Sequence, residues 1–260
     1  MHEELHVVEQ GADNGPPLIV LVHGTMDRGT SFRLVVRRLR DLHVVTYDRR
    51  GYAKSRSAAP PRPSLDHQAD DLLEIVSERP AVLVGHSLGG DVAVLAALRR
   101  PDLIGAVGAY EPPMPWLPWW PAGSAGGDAR RKADGGDVEG AAEWFMRRMV
   151  GDATWEQLPE RTRAERRSEG VALMADLSAV QNDAPFDPAD LTVPLVVGRG
   201  GSSLPHHSQS AAGLADAVPG AELVEIGGAG HGAHVSHPEE FAALVRRVVE
   251  RSTEVGRVGP

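Results

Sequence analysis

The 260-residue sequence predicts an α/β fold in which helices flank a mostly parallel central sheet. Two observations support this prediction: short runs rich in Val, Ile and Leu alternate with helix-like segments, and most of those runs are apolar throughout. Continuously apolar strands are typical of a parallel sheet that is covered on both faces. The alternation of strand and helix therefore predicts right-handed crossovers between parallel strands.

Seven runs are predicted strands and five segments are predicted helices. The strands are expected at residues 5–10, 18–24, 43–48, 81–87, 106–111, 194–198 and 222–227. The helices are expected at residues 31–40, 64–79, 89–100, 208–218 and 238–251. Each helix lies between two strands or follows the last one, as a crossover topology requires.

One region interrupts this alternation. About eighty residues separate the fifth and sixth predicted strands, far more than a crossover needs. We therefore expect a helical cap over residues 112–192, inserted before the penultimate strand of a core domain formed by residues 1–111 and 193–260. The cap begins with "PPMPWLPWWP" (112–121), whose prolines exclude a continuous helix.

The aromatic residues of this Pro-rich segment suggest a pocket. Trp116, Trp119 and Trp120 directly follow a strand end, where a ligand pocket is expected in an open α/β sheet. We predict that they line an apolar substrate pocket, and we assign Met26 to the same pocket. The alternative is that the aromatic residues form the core of the cap, which we favour for Trp144 in the helix-like "VEGAAEWFMRRMV".

Composition excludes several classes of partner. The formal net charge of -9 argues against binding to nucleic acid, which requires a surplus of Lys and Arg. The absence of cysteine excludes disulfides, thiolate metal sites and a cysteine nucleophile. The N-terminus lacks the pattern of a signal peptide, and no run approaches ~18 apolar residues. The expectation is a cytoplasmic protein that acts on a small molecule, without a membrane partner; the oligomeric state stays open.

The most specific chemical motif is "VLVGHSLGG" (82–90), in which a G-x-S-x-G pattern centres on Ser87. The pattern follows an apolar strand and precedes a helix, which is the context that a nucleophile elbow requires. A sharp strand-to-helix turn would lift the hydroxyl of Ser87 above the sheet edge. There the amides and the dipole of the following helix favour a developing negative charge.

With this elbow and three further segments, the chain resembles the α/β-hydrolase superfamily over nearly its whole length, and in particular its serine esterases and lipases. "LVHGTMDRGTSF" (21–32) resembles the oxyanion loop, "YDRRGYAKS" (47–55) a structural turn, and "GGAGHGAHVSHPEEF" (227–241) the histidine loop. The resemblance implies that the amides of Thr25 and Leu88 form the oxyanion hole. The turn departs from the family pattern at Ala53, where a glycine is common.

Among the histidines near the end of the chain, His231 is the predicted general base. It lies in the Gly-rich "GAGHG" beyond the last strand, from which a side chain can reach toward Ser87. His234 and His237 match no catalytic position and are interpreted as packing or surface residues. No metal site is expected, because no metal-binding motif accompanies them, and no cofactor is expected either.

Four other histidines have no catalytic assignment. His23 and His86 are interpreted as structural supports, and we assign no function to His206 and His207.

The third catalytic residue is not where the family usually has it. The position expected to carry the acid aligns with about Gly201, where no carboxylate exists. Glu111, at the end of the strand before the cap, is the predicted acid, because a subgroup of the haloalkane dehalogenases in this superfamily has a glutamate there. The alternative is that Glu111 only anchors the cap. Three aspartates are weaker candidates because they precede the later strand: Asp183, Asp187 and Asp190.

The predicted reaction follows from the nucleophile. Dehalogenases and epoxide hydrolases of this superfamily have an aspartate in place of Ser87, so hydrolysis of a carboxylic ester of a small to medium apolar substrate, through an acyl-enzyme, is favoured. Other serine-dependent reactions remain alternatives: C–C bond hydrolysis, thioester hydrolysis and perhydrolysis. A non-catalytic ligand-binding protein on the same fold is the rival of a different class.

Overall fold

The computed structural model describes residues 5–11, 17–57, 61–181 and 183–255, and seven strands of this part form one sheet. Their order is β1-β3-β2-β4-β5-β6-β7. The bounds are β1 (Val7–Gln10), β2 (Leu18–Val22), β3 (Val44–Tyr47), β4 (Ala81–His86), β5 (Ile104–Tyr110), β6 (Leu195–Gly200) and β7 (Glu222–Ile226). Edge strand β1 pairs antiparallel with β3, and all other neighbours are parallel. The predicted fold class and all seven predicted strands are confirmed.

Helices cover both faces of this sheet. Those of the predicted core are α1 (Arg33–Val36), α2 (Leu65–Val76), α3 (Leu88–Arg99), α9 (Pro205–Ala217), α10 (Ala233–Ser236) and α11 (Pro238–Val255). The helix expected over residues 31–40 is shorter than predicted: a 3₁₀ turn (Gly29–Phe32) precedes α1, and tight i→i+3 hydrogen bonds follow it. None of the helices described is both long and apolar enough to cross a bilayer.

The core consists of two layers, one on each face of the sheet. In β2, Leu18, Val20 and Val22 pack with one layer, whereas Ile19 and Leu21 pack with the other. Successive side chains of a strand point to opposite faces, so a strand covered on both sides must be apolar throughout. The five residues of β2 are accordingly all buried. This double burial leaves only the strand ends for polar chemistry.

Between β5 and β6, the described residues form five further α-helices. They are α4 (Ala125–Ala133), α5 (Val138–Val150), α6 (Asp152–Gln157), α7 (Glu160–Ser168) and α8 (Gly170–Ala179). We call residues 112–192 the helical segment. A third apolar cluster forms here around the fully buried Trp155 and includes Phe145 and Leu173. Two residues from outside the segment, Met26 and Tyr52, belong to the same cluster, so the segment packs against the strand-end loops.

A buried ion pair fixes the helical segment to the turn after β3. The guanidinium of Arg49 binds the carboxylate of Asp176 on α8 with two hydrogen bonds, of 2.8 and 3.1 Å. Tyr52 Oη donates to the same carboxylate at 2.7 Å, and Gln68 Nε2 donates at 2.9 Å. Burial would raise the pKa of Asp176, but Arg49 and these donors hold it below its ordinary value. The carboxylate therefore stays ionised and positions α8 above the sheet edge.

Candidate active site

Ser87 occupies a strained turn between β4 and α3. Its φ and ψ angles are 54° and -132°, in a region that costs a non-glycine residue about 1–3 kcal/mol. The backbone N–H of Ser87 donates to the carbonyl of Tyr110 at 2.8 Å. A Cβ atom at Gly85 would lie 2.1 Å from the carbonyl oxygen of Gly89, and one at Gly89 would lie 2.2 Å from that of Val22. The two glycines are therefore required by close backbone packing.

Two backbone amides beside Ser87 are free to donate. Within the described residues, the N–H groups of Thr25 and Leu88 have no hydrogen-bond acceptor. Leu88 is the first residue of α3, at its positive end. The loop that carries Thr25 passes close to the turn, since a Cβ atom at Gly24 would lie 2.8 Å from Cβ of Ser87. The structure thus brings together the two amides that were predicted as oxyanion donors.

His23 holds that loop in place. Its Nε2 accepts the backbone N–H of Arg49 at 2.8 Å, and its Nδ1 lies 2.7 Å from the carbonyl of Gly24. Burial, and then the charge of Arg49, lower the pKa of His23 to about 4. The ring therefore stays neutral near pH 7 with Nδ1 as the donor, which is the structural support that the sequence predicted.

Glu111 and His231 are in direct contact. Oε2 of Glu111 lies 2.8 Å from Nδ1 of His231, and Oε1 accepts the backbone N–H of Gly200 at 2.7 Å. Glu111 directly follows β5 at a φ of 47° and is fully buried. A carboxylate in this position keeps the proton of the imidazole on Nδ1 and leaves Nε2 as the basic atom. The carboxylate thus meets the end of β6 one residue before Gly201, where the family's acid was expected.

Two side chains from the central strands anchor the loop of His231. Nε2 of His86 donates to the carbonyl of His231 at 2.7 Å, and Tyr110 Oη donates to that of Gly230 at 2.9 Å. Burial first, and then the nearby rings of His234 and His231, lower the pKa of His86 well below its ordinary value. His86 therefore remains neutral and acts as a donor that fixes the loop.

A cavity lies beside Ser87 and His231, with a volume of about 600 Å³ that includes its open mouth. Thr25, Ser87, Leu88 and His231 line it at the sheet edge. The helical segment contributes a mainly apolar wall, which includes Phe145, Met149, Leu177 and Val180. The arrangement presents a hydroxyl, an imidazole and two free amides to the same enclosed space.

The structure places the four predicted pocket residues in three different environments. Trp120 lines the cavity of Ser87, as expected. Trp116 and Trp119 instead line a second groove, of about 1360 Å³, and Met26 is buried in the cluster around Trp155. Two successive turns, closed by the N–H groups of Leu117 and Trp120, shape this stretch. The rings of Trp119 and Trp120 lie 6.0 Å apart, but each lines a different space. The prediction of one shared wall is corrected for Trp116, Trp119 and Met26.

Two histidines without a predicted role lie beside His231. The ring of His207 stacks on that of His231, with centroids 4.0 Å apart and planes at 19°, and His206 packs edge-on against Trp120 at 4.9 Å. Burial, followed by the charge of His231, lowers the pKa of both His206 and His207. The sequence contained one signal for the position of these two histidines. They follow Pro205, which begins α9 just after β6, and a helix that follows a parallel strand begins at the carboxyl edge of the sheet.

Two groups of side chains could hold a metal ion, although the sequence predicted no metal site. In one, ligand atoms of Glu111, His207 and His231 lie within 4.8 Å of one another. The other group consists of Asp27, His86 and His234, in which Nε2 of His234 lies 3.0 Å from a carboxylate oxygen of Asp27. Both sets offer the nitrogen and oxygen ligands that zinc accepts. In each group, one hydrogen bond joins the carboxylate to a histidine. The third residue packs its ring against that histidine, His207 on His231 and His86 on His234.

Comparison of the sequence with known proteins finds relatives that match either part of this chain or nearly all of it. Lipase LipV from Mycobacterium tuberculosis is 32% identical over 110 residues, which cover 42% of this chain and 42% of the lipase. Polyketide synthase ThaQ from Burkholderia thailandensis is 29% identical over 94% of this chain, a match that spans 12% of ThaQ. The chain thus matches less than half the length of both relatives.

Solved structures extend the likeness to the whole fold. A thermophilic esterase from Thermogutta terrifontis superposes with a TM-score of 0.74 at 23% identity, covering 95% of this chain and 93% of the esterase. The sequence model described as the alpha/beta hydrolase family matches residues 19–244, which include the turn at Ser87, the strand end at Glu111 and the loop of His231. The chain therefore belongs to the alpha/beta hydrolase family.

Proposed function

We propose that the protein hydrolyses carboxylic esters through an acyl-enzyme, with Ser87 as nucleophile, His231 as general base and Glu111 as the acid that orients it. The observation that carries the proposal is the 2.8 Å contact between Oε2 of Glu111 and Nδ1 of His231, at a cavity that Ser87 also lines. A buried carboxylate on Nδ1 prepares the imidazole to accept a proton at Nε2.

In the first step, Oγ of Ser87 attacks the ester carbonyl while Nε2 of His231 takes the hydroxyl proton. The carbonyl oxygen becomes an oxyanion, which the free N–H groups of Thr25 and Leu88 stabilise. Collapse of the tetrahedral intermediate expels the alcohol, which receives the proton from His231. The acyl group remains on Ser87.

In the second step, a water molecule attacks the acyl carbonyl carbon through its oxygen, while Nε2 of His231 takes one of its protons. The same two amides stabilise the second oxyanion. Release of the acid restores the hydroxyl of Ser87, which regains its proton from His231. Glu111 accepts the hydrogen bond from Nδ1 of His231 and stabilises the imidazolium in both steps.

We further propose that the helical segment acts as a cap that selects the substrate. Its apolar residues Phe145, Leu177 and Val180 form the cavity wall opposite the sheet edge, and the buried pair of Arg49 and Asp176 holds it there. Such a wall fits a small to medium apolar acyl group. The core would then comprise residues 1–111 and 193–260, and the cap residues 112–192.

Covalent labelling with a fluorophosphonate, combined with initial rates on p-nitrophenyl esters, tests the mechanism. The wild type should gain the mass of the probe on Ser87 and hydrolyse the esters. Ser87→Ala should lose the label and about 10⁶-fold in kcat, whereas Ser202→Ala, at an exposed serine, should retain both. Ligand binding without labelling of folded wild type would favour the non-catalytic alternative, and unchanged kcat in Ser87→Ala would remove Ser87 from the mechanism.

Thioester hydrolysis is the second candidate. The match to polyketide synthase ThaQ covers 94% of this chain, so it spans the helical segment as well as the strand ends. The same nucleophile and oxyanion amides would serve, because a thioester also reacts at its carbonyl carbon. Rates on matched acyl esters and acyl thioesters of N-acetylcysteamine separate the two, and a higher kcat/KM for the thioester would favour this candidate.

A further inference from the structure

A single permanent positive charge faces the cavity. Arg130, on α4 of the helical segment, is the one Lys or Arg among the described residues that line the space around Ser87. Its side chain is half-buried, and its Nη1 donates to the carbonyl of Leu177 at 2.9 Å. A guanidinium offers five N–H groups, so most of its donors remain available.

Arg130 has no carboxylate partner among the described residues. Among the described residues, none brings a carboxylate oxygen within 4.0 Å of its guanidinium, although Asp128 and Asp134 lie on the same stretch of chain. Asp128 instead pairs with the exposed Arg131. Burial lowers the pKa of Arg130, with the more distant Asp134 opposing this effect. The cation is thus partly desolvated without a counter-ion, which is unfavourable unless a ligand supplies one.

The other polar groups of the cavity cannot supply that counter-charge. Asp176 also lines the cavity, but its carboxylate already binds Arg49 with two hydrogen bonds. An imidazole carries no negative charge in either protonation state, and burial lowers the pKa of His206 and His207, which keeps both rings neutral. Because Arg130 is half-buried beside a mainly apolar wall, its charge is screened less than that of a fully exposed cation and attracts a bound anion more strongly.

We propose that Arg130 binds a carboxylate group of the substrate, so that the preferred esters are half-esters of dicarboxylic acids with a free carboxylate on the acyl chain. This inference rests on the proposed ester hydrolysis. Ser87 and the oxyanion amides lie at the sheet edge and Arg130 lies on the wall formed by the helical segment, so the two ends of such an acyl chain would contact different parts of the fold. One guanidinium matches one singly charged carboxylate, with two parallel hydrogen bonds. A doubly charged phosphate would leave excess charge in an apolar space.

A purely structural role for Arg130 makes a different prediction. Its hydrogen bond to Leu177 lies near the carboxyl end of α8, where a cation also stabilises the helix. If this were its only role, replacing Arg130 would disturb the wall for every substrate alike. Binding of a carboxylate predicts a loss that depends on the charge of the substrate.

The experiment compares mono-p-nitrophenyl adipate with its neutral methyl ester. In the wild type, kcat/KM should be higher for the carboxylate-bearing ester. Arg130→Met should lower that value by about 10- to 100-fold, mainly through KM, and change the methyl ester by less than about 3-fold. Arg130→Lys should recover part of the preference. Arg131→Met, at the exposed neighbour, should leave both substrates unchanged.

Equal losses for both esters in Arg130→Met, or a wild-type preference for the neutral ester, would overturn the inference. A phosphate-bearing ester that outperforms the adipate would overturn the assignment to a carboxylate. If the wild type hydrolyses neither ester, the proposed function fails, and calorimetry with monomethyl and dimethyl adipate still decides the role of Arg130. The inference is supported if the wild type binds monomethyl adipate but not dimethyl adipate, and if Arg130→Met binds neither. It is refuted if the wild type binds neither compound or binds both equally.

Discussion

Oε2 of Glu111 lies 2.8 Å from Nδ1 of His231, although 120 positions separate the two residues in the chain. Glu111 directly follows β5 and His231 follows β7, two strands that are separated in the sheet only by β6. The contact forms because parallel strands place their carboxyl ends at one edge. The backbone of Gly200 completes it by donating to the other oxygen of Glu111.

Replacing Glu111 by Gln should lower kcat by about 10²- to 10⁴-fold with little change in KM, because an amide neither enforces the same tautomer nor stabilises the imidazolium. Steady-state kinetics on a p-nitrophenyl ester, with circular dichroism to check folding, measures this effect. Glu225→Gln, at an exposed carboxylate, is the control and should retain wild-type kcat. A folded Glu111→Gln with nearly normal kcat would leave a Ser–His dyad or another acid.

Trp120 and Trp119 should differ in their effect on substrate size. Trp120 lines the cavity of Ser87, whereas Trp119 lines the second groove. Trp120→Ala should raise KM for long acyl esters by about 10-fold, because it removes apolar contact area, and should affect acetate much less. Trp119→Ala is the comparison variant and should change KM much less, because its side chain lines the second groove although its ring lies 6.0 Å from that of Trp120. Equal effects of the two variants across the acyl series would mean that both residues support the cap as a whole.

Removing one partner of the buried ion pair between Arg49 and Asp176 should destabilise the protein, because the other charge stays buried without a partner. Arg49→Met leaves a buried carboxylate without its cation and should lower the free energy of unfolding by about 3–5 kcal/mol. Urea denaturation measures the loss. The double variant Arg49→Met, Asp176→Leu should recover part of it, since it also removes the uncompensated charge. Arg199→Met, at a more exposed pair with Glu225, should have a much smaller effect. A double variant less stable than Arg49→Met would contradict this account.

Asp91 should make stability depend on pH. The residue lies in the first turn of α3, both carboxylate oxygens are buried without a partner in the described part of the chain, and burial raises its pKa well above the ordinary value. The folded state therefore keeps a proton on Asp91 that the unfolded state releases near pH 4. As a result, the free energy of unfolding falls as the pH rises from the unfolded pKa to the higher folded pKa. The loss approaches about 1.4 kcal/mol per pH unit across that window.

Asp91→Asn removes this dependence. Relative to wild type, the variant should gain stability between pH 5 and pH 8, measured by urea denaturation at both values. Asp216→Asn, at an exposed position, should follow the wild-type profile. Parallel pH profiles of wild type and Asp91→Asn would show that the Asp91 carboxyl ionises in the folded protein without cost.

Local patterns were sufficient for the elements and the fold class. Each predicted strand was a short apolar run, and a strand buried on both faces has to be apolar throughout, so β2 and β4 could be located from their residues alone. The G-x-S-x-G pattern likewise located the turn at Ser87, because only glycine fits where a Cβ atom would lie 2.1–2.2 Å from a backbone oxygen. The short α1 was not foreseen, since apolar spacing does not distinguish an α-helix from successive tight turns.

The sequence by itself determined the order of strands and helices along the chain, the family and the residue types available at the strand ends, because these depend on neighbouring residues. Only the tertiary structure decided which side chains share the cavity. It placed Trp120 and Trp119 on different spaces, although their rings lie 6.0 Å apart, and it stacked His207 on His231. It also left Arg130 facing the space around Ser87, with no described carboxylate within 4.0 Å of its guanidinium. Such neighbours come from distant segments, and their distances depend on how the helical segment packs on the sheet, which no local periodicity encodes.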